Sequence, residues 1–466
     1  MKQLILWSLV LLCFNSCSAQ KNKKPNFIII FTDDQGYGDL SCFGGEHVYT
    51  PNIDQMAEEG ARLTSFYMAS PLCTPSRAAL MTGAYPRRVG MEPPSSLAVD
   101  LPNIPKGKKF PVCLAADGNG LNPNEITLAE VAQSVGYKTG IFGKWHLGDQ
   151  PEFLPTKQGF EDFFGLPYSH DISPKHPRQQ FFNFPDLPLL EGEEVIELNP
   201  NKDNLTKRVT QRAIQFIKEH KDENFFLYVP HPIPHGPVAA SKEIKKEYAK
   251  VLESGVKSSS NIYSTAIYEI DWSVGQILKT LKDQGIDDNT IVLFTSDNGA
   301  TRKGSTKPLR GYKGQTLEGG MRVPTVIRWP AKIKAGIEID ELLTSMDVLP
   351  TFAKLVGAKM PKNTIDGKDI LPVLLNQEKT PHEYFFYSHW GTLEAVRWKN
   401  WKLRIIEGKE ALYNLKTDIA ETNNLKDEYP DMVTQLKKAM LDFEKDMKEN
   451  ARPVGHVENP KTLTIK

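Results

Sequence analysis

The sequence predicts an α/β sandwich around a large, mostly parallel or mixed central sheet, followed by a smaller C-terminal domain. Apolar runs of strand length occur at residues 27–31, 225–229 and 291–294. Amphipathic stretches lie between them, at 205–220 and 262–281, with apolar residues at three- and four-residue spacing. Strands that alternate with helices in this way are typical of a parallel sheet whose two faces are covered by helices.

The pattern changes after about residue 357. Aromatic-rich segments at 384–387 and 396–398 precede a charged stretch of helical periodicity at about 431–448. These features predict a short antiparallel sheet and a terminal helix. We therefore divide the mature chain into a catalytic domain, residues 25–357, and a C-terminal subdomain, residues 358–466.

Residues 1–19 are predicted to be an export signal peptide. Lys2 supplies a positive charge, and residues 4–14 form an apolar core that is too short to span a bilayer. Two processing routes fit about equally well: ordinary cleavage near the small residues 17–19, or cleavage before Cys17 with a lipid on its side chain. We expect an exported protein that is periplasmic, secreted or an outer-membrane lipoprotein, with the lipid on Cys17 as its only membrane attachment.

Overall composition argues against one broad class of function. Lysine plus arginine number 57, as do aspartate plus glutamate, so the formal net charge is zero. A general nucleic-acid-binding protein has a basic surface, and nucleic acid is therefore not an expected partner. Three cysteines remain after export, Cys42, Cys73 and Cys113, which is too few for a disulfide scaffold. The sequence does not show whether Cys42 and Cys113 pair.

Residues 71–83, Pro-Leu-Cys-Thr-Pro-Ser-Arg-Ala-Ala-Leu-Met-Thr-Gly, predict a turn that continues into a helix. Cys73 would lie near the helix N-terminus, where free N–H groups and the helix dipole favour an anion. Arg77, about one turn further on, can pair with a tetrahedral oxyanion. A buried structural thiol ahead of a helix is the alternative interpretation of these residues alone.

Two predicted strands end in residues with side-chain oxygens. The first ends in Asp33 and Asp34, and a later one is followed by Asp297 and Asn298. Adjacent carboxylates repel each other, and a hard cation is the usual reason for placing them together, although a turn before glycines is an alternative. Sites in parallel sheets collect at the carboxyl ends of strands. The four residues therefore predict a Ca²⁺ site, and no Cys/His spacing indicates zinc.

Three further segments carry candidate cations and imidazoles. Lys144 and His146 follow a predicted strand and would face the same side of an extended chain. His235 lies in a proline-rich segment whose stiff backbone fixes its direction. Lys313 lies between glycines that allow a ligand to approach closely. Each signal is weak alone, because hydrogen-bonding histidines and solvated lysines are common.

Taken in order over about residues 25–330, these segments resemble the sulfatase family. The family signature, Cys-x-Pro-Ser-Arg followed by Thr-Gly, is matched at residues 73–83. Residues 165–171, Gly-Leu-Pro-Tyr-Ser-His-Asp, resemble the arylsulfatase A-like branch. Residues 412–415 resemble the family's Leu-Tyr-Asp-Leu stretch, with Asn414 in place of aspartate. The resemblance implies the fold of alkaline phosphatase.

The resemblance also implies a role for the residues around Cys73. A formylglycine-generating enzyme would oxidise Cys73 to formylglycine (3-oxoalanine), whose hydrate attacks sulfur. Arg77 would steady the charge of this nucleophile. Lys144 and Lys313 would hold the sulfate, and Ser169 is implied as a further sulfate contact.

The same resemblance assigns the acid–base groups and the metal. His146 would help to release the product, and His235, together with Lys313, would protonate the leaving alkoxide. The implied ligands of Ca²⁺ are Asp33, Asp34, Asp297, Asn298 and the modified Cys73.

These inferences predict a sulfuric ester hydrolase that removes sulfate from sulfated poly- or oligosaccharides or from aryl sulfates. One alternative is a phosphate or phosphonate monoester hydrolase on the same fold, which commonly binds two metals or zinc. The other is a catalytically silent protein that binds sulfated glycans, in which gaps among the site residues are expected. Substrate identity, exo or endo action and oligomeric state are left open.

Two irregular segments, residues 89–121 and 302–307, are predicted to lie near the pocket. They carry lysines that include Lys106, Lys108, Lys109, Lys303 and Lys307. Our hypothesis is that these lysines bind sulfates or uronates that flank the scissile ester.

Overall fold

The computed structural model describes residues 24–98 and 110–465. The predicted signal peptide, with Cys17, and the loop lysines at 106, 108 and 109 lie outside these ranges. Over the residues described, none of the helices combines the length and the apolar character that a membrane crossing requires.

Strands and helices alternate along most of the chain. The strands are β1 (Asn26–Asp33), β2 (Ala61–Leu63), β3 (Phe66–Tyr67), β4 (Asn119–Gly120), β5 (Lys138–Lys144), β6 (Asp162–Leu166), β7 (Pro188–Glu191), β8 (Glu194–Leu198), β9 (Phe225–Pro234), β10 (Thr290–Ser296), β11 (Val326–Arg328), β12 (Ile337–Ile339), β13 (Leu343–Thr344), β14 (Tyr384–His389), β15 (Thr392–Trp398), β16 (Trp401–Ile406), β17 (Lys409–Asn414) and β18 (Gly455–His456). The helices are α1 (Pro51–Glu58), α2 (Cys73–Thr82), α3 (Leu128–Gln133), α4 (Gln179–Phe182), α5 (Leu205–Glu219), α6 (Lys242–Glu253), α7 (Ile262–Asp283), α8 (Glu318–Met321), α9 (Val348–Val356), α10 (Leu371–Asn376) and α11 (Pro430–Asn450).

A ten-stranded mixed sheet forms the centre of the molecule, in the order β12-β2-β11-β10-β1-β9-β5-β6-β7-β8. The neighbouring strands β10, β1, β9, β5 and β6 are all parallel, while β11, β7 and β8 pair antiparallel with their neighbours. The three predicted apolar runs lie within β1, β9 and β10, and every residue of these strands is buried. Their continuous apolar character follows from burial on both faces of the sheet.

Helices cover both faces of this sheet, as alternation along β1 shows. Ile29 and Phe31 point to the side that α2, α3 and α9 cover, whereas Ile28 and Ile30 point to the side of α1, α5 and α7. All four side chains are fully buried. The predicted α/β fold with a large mixed sheet is therefore confirmed.

The predicted C-terminal sheet and helix are also present. Strands β14 to β17 form an antiparallel meander, and α11 packs on it through Leu436, Met440 and Phe443. The division of the chain at residue 357 stays a prediction. In the structure, the free thiols include Cys42 and Cys113, so these two cysteines do not pair.

A buried charge cluster joins the C-terminal sheet to the central part of the molecule. Lys402 on β16 lies 2.9 Å from Glu318 on α8 and 2.9 Å from Glu421. Tyr67 and Tyr387 donate hydrogen bonds to Glu318. Burial opposes ionisation of Glu318, but Lys402 and neighbouring arginines lower its pKa to about 2. Glu318 therefore stays ionised at neutral pH, although its side chain is fully buried.

Replacing Lys402 is expected to destabilise the protein strongly. Lys402→Met leaves two buried glutamates without their cation, and loss of one partner of a buried ion pair costs about 3–5 kcal/mol. Denaturant unfolding, followed by circular dichroism, measures this change. Lys438→Met is the control, because Lys438 forms an exposed pair with Asp442 on α11, and solvent screens such pairs so that they contribute little to stability. Equal effects of the two substitutions would contradict the structural importance of the cluster.

Candidate active site

The polar residues singled out in the sequence meet at the carboxyl edge of the parallel strands. Asp33 is the last residue of β1, and Asp297 follows β10 directly. Lys144 is the last residue of β5, and His235 follows β9. Cys73 is the first residue of α2, which packs on the same face as Phe31. Because β10, β1, β9 and β5 are parallel neighbours, these chain ends lie side by side.

Three buried carboxylates at this edge are each paired with a cation. Lys144 Nζ lies 2.5 Å from Asp33 Oδ2, and Lys313 Nζ lies 2.6 Å from Asp34 Oδ1. The guanidinium of Arg77 donates from Nε and Nη2 to Asp297 Oδ2, at 3.2 and 2.8 Å. The three cations come from β5, from the loop after β10 and from α2. Segments that are distant in the sequence thus converge on one cluster of charge.

The charges shift the pKa values of these groups in opposite directions. Burial works against ionisation of Asp33, but Lys144, His235 and Arg77 hold its pKa well below the usual range. Burial and the nearby Asp33 raise the pKa of Asp297 to about 7. Burial alone would lower the pKa of Lys313, yet Asp34 and other acidic neighbours raise it above its ordinary value. Lys313 therefore remains a cation at neutral pH.

Three oxygens in this cluster have no hydrogen-bond donor in the part of the chain that the structure describes. They are buried, and they belong to Asp33 (Oδ1), Asp34 (Oδ2) and Asn298 (Oδ1). The amide of Asn298 is oriented by its Nδ2, which donates to Asp34 Oδ1 at 2.8 Å and to Gly299 O at 2.9 Å. Buried polar atoms without partners in a folded protein call for a ligand, and three oxygens suit a hard divalent cation such as Ca²⁺. These residues therefore fit the expected metal.

Asp297 differs from the other three predicted ligands. Its Oδ1 accepts a hydrogen bond from the Asp34 backbone N–H at 3.1 Å, and its Oδ2 accepts from Arg77. Its membership of the ligand set stays a prediction, as does that of modified Cys73. One ligand atom from each of Asp33, Asp34 and His235 lies within 4.8 Å of the other two.

Cys73 begins α2 as the sequence predicts, and it is only 4% exposed. Ser76 fixes the turn, since its Oγ donates to Ser70 O at 2.6 Å. Burial raises the pKa of the Cys73 thiol, although Lys144 and Lys313 act to lower it. An unmodified thiol here is protonated at neutral pH and is a poor nucleophile.

Arg77 is held by groups of the protein on both sides of its guanidinium. Besides its bonds to Asp297, it donates from Nη1 to Lys144 O at 3.0 Å, and it lies 5.3 Å above the Phe31 ring. Its charge is thus fixed about one turn beyond Cys73, where the sequence predicted it.

His146 presents a free acceptor nitrogen inside the site. Its Nε2 lies 3.0 Å from Cys113 O, and a carbonyl only accepts, so Nε2 carries the proton and Nδ1 carries a lone pair. Nδ1 is buried without a partner. Burial and Lys144 hold the pKa of His146 well below its usual value. The imidazole is therefore neutral, with the lone pair available.

His235 lies at the edge of the same cluster and is more accessible, with a side chain 16% exposed. Its Nδ1 donates to Gly236 O at 2.7 Å, and its Nε2 lies 3.7 Å from Asp34 Oδ2. Of the two site imidazoles, His235 is the one that a substrate can reach from solvent.

The segment that carries Ser169 packs beside His235. Ser169 Oγ is buried and makes no hydrogen bond of good geometry within the described residues, although it is close enough to Asp171 to help lower the pKa of that carboxyl. The rings of His170 and His235 lie 5.6 Å apart in an edge arrangement, and Asp171 Oδ1 lies 3.9 Å from His235 Nδ1. In the sequence, residues 165–171 carry the family resemblance, but no role was predicted for His170 or Asp171. Three consecutive polar residues that begin three positions after the end of β6 were the available signal.

Comparison with known proteins connects this site to a family. Residues 25–358 match the family model described as Sulfatase, and residues 313–446 match the model described as N-sulphoglucosamine sulphohydrolase, C-terminal. Human arylsulfatase A is 37% identical over 388 residues, which cover 78% of this chain and 70% of the human protein. Dog N-acetylgalactosamine-6-sulfatase is 37% identical over 390 residues, with coverage of 80% and 70%.

A solved structure extends the similarity to almost the whole chain. The crystal structure of Ps i-CgsB in complex with k-i-k-neocarrahexaose matches with a TM-score of 0.77 at 29% identity. The match covers 94% of this chain and 96% of that one.

Calcium is expected to raise the melting temperature of the protein through the three free oxygens. A ligand present at 100 times its dissociation constant stabilises the folded state by about 2.7 kcal/mol. Asn298→Ala removes one of these oxygens. We expect this variant to need a calcium concentration at least about tenfold higher than the wild type for the same increase in melting temperature. Asn376→Ala, at an exposed position, is the control. An unchanged calcium dependence in Asn298→Ala would argue against the site.

Proposed function

This chain belongs to the sulfatase family, and from that membership we propose that it removes sulfate from sulfated poly- or oligosaccharides or from aryl sulfate esters. Its fold is that of the alkaline phosphatase superfamily, and its activity class is sulfuric ester hydrolase. The observation that carries the proposal is the position of Cys73 beside three fixed cations and three free oxygens. The complex of Ps i-CgsB with an oligosaccharide supports a sulfated carbohydrate as substrate.

Two groups complete the proposed site. Ca²⁺, held by Asp33, Asp34 and Asn298 with Asp297 and modified Cys73, would supply positive charge that polarises the sulfate oxygens. Formylglycine, formed from Cys73 by a formylglycine-generating enzyme, would supply an aldehyde hydrate as nucleophile in place of a protonated thiol. The raised pKa of the buried thiol makes the unmodified residue a poor nucleophile, so the proposed mechanism depends on the modification.

The cations of the chain hold the sulfate group. A sulfate ester carries diffuse negative charge on its nonbridging oxygens, and more charge develops there during attack. Lys144, Lys313 and Arg77 are already fixed by carboxylates, so little reorganisation accompanies the reaction. Ser169 Oγ, which is buried, offers a further contact.

The two imidazoles transfer protons at different steps of the reaction. As an imidazolium whose Nδ1–H is bonded to Gly236 O, His235 donates the proton on its accessible Nε2 to the leaving alkoxide, because a sugar alkoxide is too basic to depart unprotonated. Lys313 assists at this step. His146 Nδ1, the buried lone pair, accepts a proton on the nucleophile side when sulfate is released. These roles agree with the two hydrogen-bonding patterns.

We further propose that the protein is exported, with processing either at the small residues 17–19 or before a lipid-bearing Cys17. This part of the proposal rests on the sequence of the first 19 residues. Phosphate or phosphonate ester hydrolysis and non-catalytic glycan binding are the alternative outcomes of the experiments below.

Replacement of Cys73 is expected to abolish sulfatase activity. Cys73→Ala should show no turnover of 4-nitrophenyl sulfate, while Cys42→Ala, which changes a distant free thiol, should keep full activity. Mass spectrometry of the wild-type Cys73 peptide should show the aldehyde in place of the thiol, in proportion to the specific activity. An unmodified thiol in fully active protein would refute the mechanism. Turnover of phosphate esters alone, with bound zinc, would favour the phosphatase alternative.

Loss of His235 is expected to depend on the leaving group. His235→Ala should lower kcat for a sugar sulfate by about 10²–10⁴-fold, the usual contribution of a general acid. The loss should be far smaller for 4-nitrophenyl sulfate, whose phenolate departs without protonation. His220→Ala, at the end of α5, is the control. Equal losses on both substrates would exclude His235 as the proton donor.

A further inference from the structure

We propose that Lys303 forms an anion-binding subsite for the sugar that leaves, and so selects substrates with a carboxylate or a second sulfate near the scissile ester. This inference rests on the proposed function, because it assigns a ligand to the leaving-group side of that site. The sequence alone predicts the same role for Lys303 and Lys307. In the structure, the two residues have different neighbours.

The ammonium group of Lys303 lies against the backbone beside the proton donor. A β-carbon placed on Gly236 would lie 3.1 Å from Lys303 Nζ. Gly236 directly follows His235, and its carbonyl accepts the His235 Nδ1 proton. Lys303 Nζ therefore lies next to the residue that follows His235, the imidazole proposed to meet the leaving alcohol.

The loop that carries Lys303 is anchored on the side that faces the protein. Ser305 N donates to Asp39 Oδ1 at 2.8 Å, and Gly304 N donates to Thr301 O at 3.1 Å. A β-carbon on Gly304 would clash with Tyr263 and with Asp39, so this close packing requires glycine. A fixed backbone directs the side chain and reduces the entropy lost when a ligand binds.

The charge of Lys303 is available to a ligand. Lys144, Lys313 and Arg77 each pair with a carboxylate. Within the described part of the chain, Lys303 forms no ion pair. Asp171, the carboxylate beside His235, is not paired with it either. Lys303 is also exposed. An unpaired ammonium that borders the leaving-group side can accept a carboxylate or a sulfate in a charge-assisted hydrogen bond.

The neighbouring cations of the same loop are placed differently. The Arg302 guanidinium lies 5.3 Å above the Tyr312 ring. Lys307 lies in the part of the loop that packs on Gly38. The carbonyl oxygen of Lys307 would be 2.8 Å from a β-carbon added to Gly38. Lys307 therefore provides a matched control, with the same charge on the same exposed loop.

The test compares Lys303→Ala, Lys307→Ala and wild-type protein by calorimetric titration. The probes are three disaccharides: neutral neocarrabiose, a monosulfated neocarrabiose, and an unsulfated chondroitin disaccharide that carries a uronate. Inorganic sulfate in the buffer fills the catalytic sulfate pocket, so that an additional anion must bind elsewhere. The sulfated and uronate probes distinguish the two sources of negative charge.

We expect Lys303→Ala to weaken binding of at least one anionic disaccharide by about tenfold, the effect of one charge-assisted hydrogen bond at a partly exposed site. The neutral disaccharide should bind all three proteins equally, and Lys307→Ala should match the wild type. Equal binding of the anionic probes by Lys303→Ala and wild type would overturn the proposal. Equal losses in both variants would also overturn it, because they indicate general electrostatic attraction.

Turnover of 4-nitrophenyl sulfate separates this inference from the proposed function. We expect Lys303→Ala to keep its kcat on this substrate, which has no neighbouring anion. If the wild-type protein hydrolyses no sulfate ester, the proposed function fails. The titrations still decide whether Lys303 binds an anion.

Discussion

Burial of Asp33, Asp34 and Asp297 at one edge of the sheet is the constraint on which the rest of the site depends. Two unit charges 4 Å apart interact by about 4 kcal/mol at an effective dielectric constant of 20, so three carboxylates cannot remain ionised together without compensation. Lys144 on β5 and Arg77 on α2 supply part of the compensating positive charge. The strand order, with β1 between β9 and β10, is what brings these elements within reach.

The charges that neutralise one another in the folded chain are also those proposed to act in catalysis. Lys144, Lys313 and Arg77 neutralise the carboxylates within the folded chain, and they are also the groups proposed to meet a sulfate ester. A site assembled in this way is oriented before substrate arrives, which is the main source of electrostatic catalysis. The cations are fixed by their bonds to the buried carboxylates, and one oxygen each of Asp33 and Asp34 is left without a donor from the described residues.

The sequence predicted the central strands and the cysteine turn because their signals are local: continuous apolar runs, and a rare pentapeptide before a helix. It did not identify Lys402 or Glu318, since a charged residue has the same local signature on a surface and in a core. Likewise, the proximity of Asp171 to His235 depends on how the segments after β6 and β9 pack together. The distinction between Lys303 and Lys307 required the position of Gly236, which no spacing within the loop encodes.

Because these contacts join residues that are far apart in the sequence, they also determine the order in which parts of the site can form during synthesis. Arg77 and its partner Asp297 are separated by 220 residues, and β1 cannot be enclosed until β9 and β10 have been made. A ribosome that adds about 5–20 residues per second needs on the order of 10–40 s to cover that distance. Throughout this interval the turn around Cys73 lacks the strands that later bury it. The modifying enzyme proposed to act on Cys73 would therefore have a limited time in which to reach the thiol, ending when the sheet is completed.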